Sequence, residues 1–332
     1  MNGRKLGIAG GIVALLVVVF AGVSFLNAGN MASEYEKSFT AWNTEKKAKL
    51  LTTTSTLPEN MYVYDFDQVT EEQGLELQKK GCDTVGATLQ EVKKTEETVP
   101  KLGVAFLGSL NSKYAAAQKQ AEERTKTIRA YTEKAKTSYE KIVTDCKWNY
   151  GYNMGAKPSH EAYKKVRATY MKQGERGDGW TCKNDKGCTP VSPEKRAAYV
   201  EAYRQYITLS AENDAKWFKD DVCKNTSYGS EGCKKVADAG KKYDAATHAY
   251  LDAFATQPVG SAEVDAKNAG INESHKIAID ATVALYKELF PKNNVPQELS
   301  SASAGSDVFL DAVARARIAD LIAAQAALKS LK

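Results

Sequence analysis

Residues 107–146 read LGSLNSKYAAAQKQAEERTKTIRAYTEKAKTSYEKIVTDC, and their spacing decides the fold class. Leu107, Tyr114, Ala121, Ile128, Ala135 and Ile142 recur at strict seven-residue intervals, and Leu110, Ala117, Arg124, Tyr131 and Ser138 form the neighbouring row. Two such rows, three and four residues apart, make one face of an α-helix that meets a partner helix. Ala, Ser and Arg form a weak seam between separate chains. The spacing therefore predicts antiparallel helix packing inside one chain, with a self-associating coiled coil as the alternative.

The pattern continues upstream. Thr70 and Gln73 have the capping-box spacing, in which each side chain satisfies a free amide of the first helical turn. Beyond them Leu75, Cys82 and Leu89 repeat every seven residues, beside Val85, Val92 and Val99. The chain is expected to reverse near Gly108–Ser112, with Pro100 as a kink before the tip. Farther upstream, Tyr35, Phe39 and Trp42 stand at helical spacing, Thr52–Asn60 (TTTSTLPEN) reads as a loop, and Met61–Phe66 alternates like a strand with nothing to pair with.

At the N-terminus Arg4 and Lys5 precede an uncharged run from Leu6 to Leu26. Its length matches the roughly 20 apolar residues that cross a bilayer as a helix. Leu26 sits poorly two positions before Ala28, the passable last residue of a cleavage site, so a retained anchor is expected and a cleaved signal is the alternative. The charges before the run orient the short N-terminus to the cytoplasm and the bulk of the chain outside. The cysteines agree with export. Cys82, Cys146, Cys182, Cys188, Cys223 and Cys233 all follow the run, an even set that reads as disulfides in an oxidising compartment. Cys182–Cys188 and Cys223–Cys233 would close short polar loops, leaving Cys82–Cys146.

Downstream the composition shifts. Glycines accumulate between Asn149 and Pro190, and only Ser159–Lys172 looks helical there. The aromatic side chains Trp148, Tyr150, Tyr152 and Trp180 around this stretch are the candidate contact surface. Ser192-Pro193 then opens a helix to about Val222, with Ser as cap and Pro in the first turn. Helices near Lys234–Thr256, Ala262–Phe290 and Ser306–Leu331 follow, separated around Pro258, Pro291 and Pro296. The expected organisation is a membrane anchor at 1–30, a helical hairpin region at 31–148, a Gly- and aromatic-rich loop region at 149–192, and a C-terminal helical bundle at 193–332. The fold class is all-α, with a single N-terminal transmembrane helix followed by an elongated, disulfide-bonded ectodomain.

Chemistry is harder to find. His160, His248 and His275 lack the paired spacing of metal ligands, Asp65/Asp67 and Asp220-Asp221 fit no calcium loop, and no phosphate-cradling glycine pattern occurs. Ser138-Tyr139-Glu140-Lys141 and Ser192-Pro193-Glu194-Lys195 match Ser-x-x-Lys, but the companion elements of those hydrolases are absent. The carboxylates read as helix-surface partners for lysines, and the helix-spaced tyrosines as core and boundary packing. Of the 46 basic residues two precede the apolar run, leaving 44 against 41 acidic, a balance that argues against nucleic acid. No catalytic residue, metal or cofactor is expected. The expected role is a non-catalytic contact with an envelope or membrane protein, with lipid contact through residues 6–26. An enzyme whose site is assembled from distant residues, or an accessory or sensory subunit of a membrane complex, are the alternatives.

Overall fold

The structure, a computed structural model, describes residues 25–59, 61–62, 70–105, 108–169, 175–176, 180–182, 188–190, 192–217, 231–256, 261–300 and 306–331. The fold is all-α. Helix α1 covers residues 25–53 and includes one π-helical turn, Asn43–Lys47. It is followed by α2 (Glu71–Glu97), α3 (Ser112–Thr169), α4 (Pro193–Trp217), α5 (Glu231–Thr256), α6 (Ala262–Leu289) and α7 (Ser306–Lys329). A small antiparallel sheet, β1 (Glu175–Arg176), β2 (Trp180–Cys182) and β3 (Cys188–Pro190), lies between α3 and α4 in sequence. Among the described residues no helix is long and apolar enough to cross a membrane. The span expected at residues 6–26 lies outside those residues except for Phe25 and Leu26.

Two compact units are each assembled from separated stretches. One takes the chain up to Thr56, then Gly86–Glu140 and the end from Arg317; the other takes Leu57–Val85 and Lys141–Ala316.

In the first unit α1 buries Ala28, Ala32, Tyr35, Phe39 and Trp42 at alternating spacings of four and three. The π turn adds a residue to the helix, so the buried row resumes at Leu50. The first half of α3 answers with Tyr114, Ala117, Ile128, Tyr131, Ala135 and Tyr139, and α7 with Ile318, Leu321 and Leu328. Arg124, an unexpected residue for a seam, has its guanidinium 4.0 Å from the centre of the Phe39 ring and its Nη1 2.9 Å from Glu36 Oε1. The ring face and the carboxylate together replace the water it loses. Here the facing parts of α2 and α3 run antiparallel, as Lys93–Glu140 (3.0 Å) and Lys136–Glu96 (3.0 Å) show.

The polar run after Leu51 also has a structural role. A helix C-terminus leaves its last carbonyls without partners. Tyr139 Oη donates to the carbonyls of Thr53 (3.2 Å) and Thr56 (3.3 Å), and Gln325 Nε2 donates to that of Leu51 (2.9 Å). Gln325 Nε2 also reaches Ser55 Oγ at 2.8 Å, while the fully buried Thr54 hydroxyl pairs with Tyr131 Oη. The helix therefore extends to Thr53, two residues beyond the expected end.

In the second unit the capping box is formed. Thr70 N donates to Gln73 Oε1 at 2.9 Å and Gln73 N to Thr70 Oγ1 at 3.2 Å. Antiparallel α2 and α3 segments are joined by the disulfide Cys82–Cys146, whose Cα atoms are 5.7 Å apart. An apolar cluster of Val200, Ala253, Phe254 and Val264 ties α4, α5 and α6, with Tyr199 and Tyr250 against it. Arg196 lies over the Phe254 ring at 4.8 Å and donates to the Phe254 carbonyl. On α5 the buried face holds Ala239, Thr247, Leu251 and Phe254, and the half-buried Val236, Tyr243 and Tyr250 flank it.

Two expectations are corrected. Pro100 is not a kink within a helix, because α2 ends at Glu97 and α3 begins only at Ser112, after a 3-10 turn at Gly108–Leu110. Tyr114 Oη holds the connector between them, donating to the Gly103 carbonyl (2.6 Å) and accepting from Ala105 N (3.1 Å). The stretch 149–158 is not loop but helix, continuous with the expected helix from Ser159, and together they form the second half of α3 with Pro158 inside it. Its buried row is Asn149, Asn153, Ala156, Ser159, Ala162 and Val166. Helical spacing is present there, but small and amide side chains stand where an apolar stripe was sought.

Candidate functional site

The most unusual chemistry of the second unit gathers around the polar row of α3. Asn149 and Asn153 are four residues apart and hence on one helix face, and both are buried. Asn153 Nδ2 donates to Oε1 of the buried Gln78 on α2 at 3.2 Å. Between the two asparagines, Tyr152 Oη donates to Asp214 Oδ1 on α4 at 2.7 Å, and its carbonyl accepts from Asn213 Nδ2 at 3.2 Å. Nearer the helix end, His160 Nδ1 lies 3.1 Å from Glu71 Oε1.

Three carboxyls from three helices share this interior. Burial raises the pKa of Asp214, which the Tyr152 hydrogen bond offsets in part. On α5, burial and then the charge of Asp214 push Asp244 up to about 6, against the opposing pull of His248. At the start of α7, burial pushes Asp307 up to about 6, against the pull of the neighbouring Asn149 amide. Loss of hydration penalises the charged form, which is why carboxyls rise. The same burial raises Tyr152, and Asp214 and Asp307 add to it through their charge; Tyr206 is raised for like reasons. These carboxyls are therefore not the surface partners of lysines that the sequence led us to expect.

Asp244 and Asp307 can take up and release protons near pH 6. Among the described residues no group of three His, Cys, Asp or Glu side chains could hold a metal ion. Shallow clefts in the first unit are lined by Glu123, Lys126, Tyr131 and Ala327, and by Leu102, Val104, Tyr114 and Arg129; neither lining includes these carboxyls.

The expected contact residues are distributed differently from a loop. Trp148, Tyr150 and Tyr152 lie on α3, all half-buried, and the rings of Trp148 and Tyr152 stack at 5.6 Å. Trp180 opens β2, opposite Arg176 on one side and Pro190 on the other; its side chain lies outside the described residues. The backbone register of β2 and β3 sets Cys182 opposite Cys188. Cys233 is disulfide-bonded, and no described cysteine is free. Other helix-spaced tyrosines form ladders, with Tyr199, Tyr203 and Tyr206 at 5.7 and 5.8 Å along α4 and Tyr163 against Tyr206 at 5.1 Å.

Sequence reasoning missed Asp214, Asp244, Asp307 and Asn149. A signal existed only for Asn149, which with Asn153 continues the row of Ile142 and Cys146 at helical spacing. Comparison with family models, curated proteins and solved structures finds no match for this chain.

Proposed function

We propose that this chain is a membrane-tethered, extracytoplasmic helical protein that acts without catalysis, through contact with an envelope or membrane protein. The observation that carries this reading is a pairing of two features. An uncharged run at 6–26 follows Arg4 and Lys5, and the chain beyond it holds two helices crosslinked by Cys82–Cys146. A disulfide inside a folded core suits an oxidising compartment, which is where the charge order before the run would deliver the bulk of the chain. Cys182–Cys188 and Cys223–Cys233 complete the proposed set. The contact face is placed at Trp148, Tyr150 and Trp180; the Tyr152 hydroxyl already serves Asp214.

An enzyme whose site is assembled from distant residues is the second reading, and the convergence of Asp214, Asp244 and Asp307 with Tyr152 is what favours it. Crosslinking in native membranes followed by mass spectrometry separates the two. A stoichiometric protein partner, lost when Trp148, Tyr150 and Trp180 are replaced by Ala, is the expected result. Absence of any partner, together with turnover that disappears in Asp244→Asn, would establish the enzyme instead.

A further inference from the structure

Resting on the tether reading above, we infer that one end of the first unit seats directly on the bilayer, so that lipid is its binding partner there. Helix α1 is described from Phe25, in the last two residues of the apolar run, and Phe25 and Leu26 are 45% and 69% exposed. The connector between α2 and α3 is fastened to this same end. Asn111 caps α3, its Oδ1 accepting from Lys113 N (3.0 Å) and Tyr114 N (3.1 Å), while its Nδ2 donates to the Phe25 carbonyl at 2.9 Å. Gly103 packs on Met31 so closely that a Cβ there would collide with the Met31 methyl.

What this fastening presents outward is apolar. Val104 is 94% exposed and Leu110 69%, the first of them the most exposed large apolar side chain among the described residues. Water is a poor neighbour for both. The charge pattern selects the occupant. From Thr98 to Lys113 the charged residues are Lys101 and Lys113 alone, both exposed, and α1 carries no charge before Glu34. Glu122 on α3 shares the cleft that Val104 lines, but Lys101, Lys126 and Arg129 outnumber it there, and exposed apolar side chains with a cationic surround are the composition of a surface that enters the headgroup layer.

The distances agree. Met31 lies five residues past Leu26, about 7.5 Å along a helix at 1.5 Å per residue. The headgroup region adds roughly 5–7 Å on each side of the hydrocarbon core, so the connector beside Met31 falls at the outer part of that layer. The tether and the connector together hold this end of the unit at the membrane, where a lone tether would let it swing.

The full chain, reconstituted in vesicles of phosphatidylcholine and phosphatidylglycerol, tests this with a diazirine amino acid at position 104 or 110. Photolysis should yield phospholipid adducts at both, well above those at position 277, where Ile277 is exposed on α6 away from the anchor in sequence. Equal labelling at 277, or crosslinks to protein alone, overturns the lipid contact. Carbonate extraction of the same vesicles keeps the two failures apart. A chain that resists extraction but gives no lipid adducts refutes the contact and spares the tether, whereas a chain that is released refutes both.

Discussion

The two halves of α3 are buried by different means. Between Ser112 and Glu140 the helix meets its neighbours through Tyr114, Ile128, Tyr131, Ala135 and Tyr139, and its polar groups serve mainly to finish the end of α1. Between Lys141 and Thr169 the buried row passes from Ile142 and Cys146 to Asn149, Asn153 and Ser159, and carboxyls from α4, α5 and α7 gather beside it. Apolar contact is nondirectional and tolerates small errors of position. A buried amide or carboxyl demands a partner at the right distance, and its absence costs more than its presence gains. The first half should therefore respond to loss of volume, and the second to loss of partners and to pH.

The largest expected effect comes from the covalent link. A crosslink across a sequence separation of 64 restricts the unfolded chain by ~4 kcal/mol in the chain-entropy estimate. Cys82→Ser with Cys146→Ser should lower the midpoint of denaturant unfolding accordingly. An unchanged midpoint would mean that the second half holds together without it.

Next, Ile128→Ala removes a fully buried side chain from the apolar half and should cost ~3 kcal/mol with no pH dependence, measured by thermal unfolding between pH 4 and 8. Asn153→Leu leaves the buried Gln78 without its partner and should cost about 1–3 kcal/mol. Adding Gln78→Leu should restore most of that loss, since two apolar groups need no partner. If the double variant is worse than the single, the amide row is doing more than satisfying itself.

The carboxyls sharpen the contrast through pH. Asp307 rises from 3.8 unfolded to about 6 folded, so the folded chain holds its proton more tightly. Its stabilising contribution is complete below about pH 4 and is lost as pH rises through about 6. Asp307→Asn should be more stable than the parent at pH 7, by up to about 3 kcal/mol, and equal to it near pH 4. Asp244→Asn should act in the same direction but more weakly, its side chain being better hydrated. A parent profile flat between pH 4 and 7 would count against the buried cluster. The smallest effect belongs to the exposed pair Lys93–Glu140, where Lys93→Ala should change stability by less than about 1 kcal/mol.

Legibility in the sequence follows the same division. The rows through Ile128 and Ala135, the capping box at Thr70 and the Ser192 cap depend on spacing along one helix, and each is formed. The extent of α3 past Asn149 was hidden because glycines and amides read as loop when an apolar stripe is the signal. Burial of Asp214, Asp244 and Asp307 was hidden more deeply. Nothing local distinguishes an aspartate that faces lysine from one that faces another helix.

By itself the sequence determined the all-α class and most of the helix boundaries. These depend on periodicity, capping and length, which are properties of neighbouring residues. Only the tertiary structure decided that α3 runs unbroken through Pro158, that the connector after Pro100 is fastened to the start of α1, and that carboxyls from α4, α5 and α7 meet beside Asn149. Those outcomes depend on which helix covers which face, and the desolvation that shifts a carboxyl's pKa exists only once the covering helix is in place.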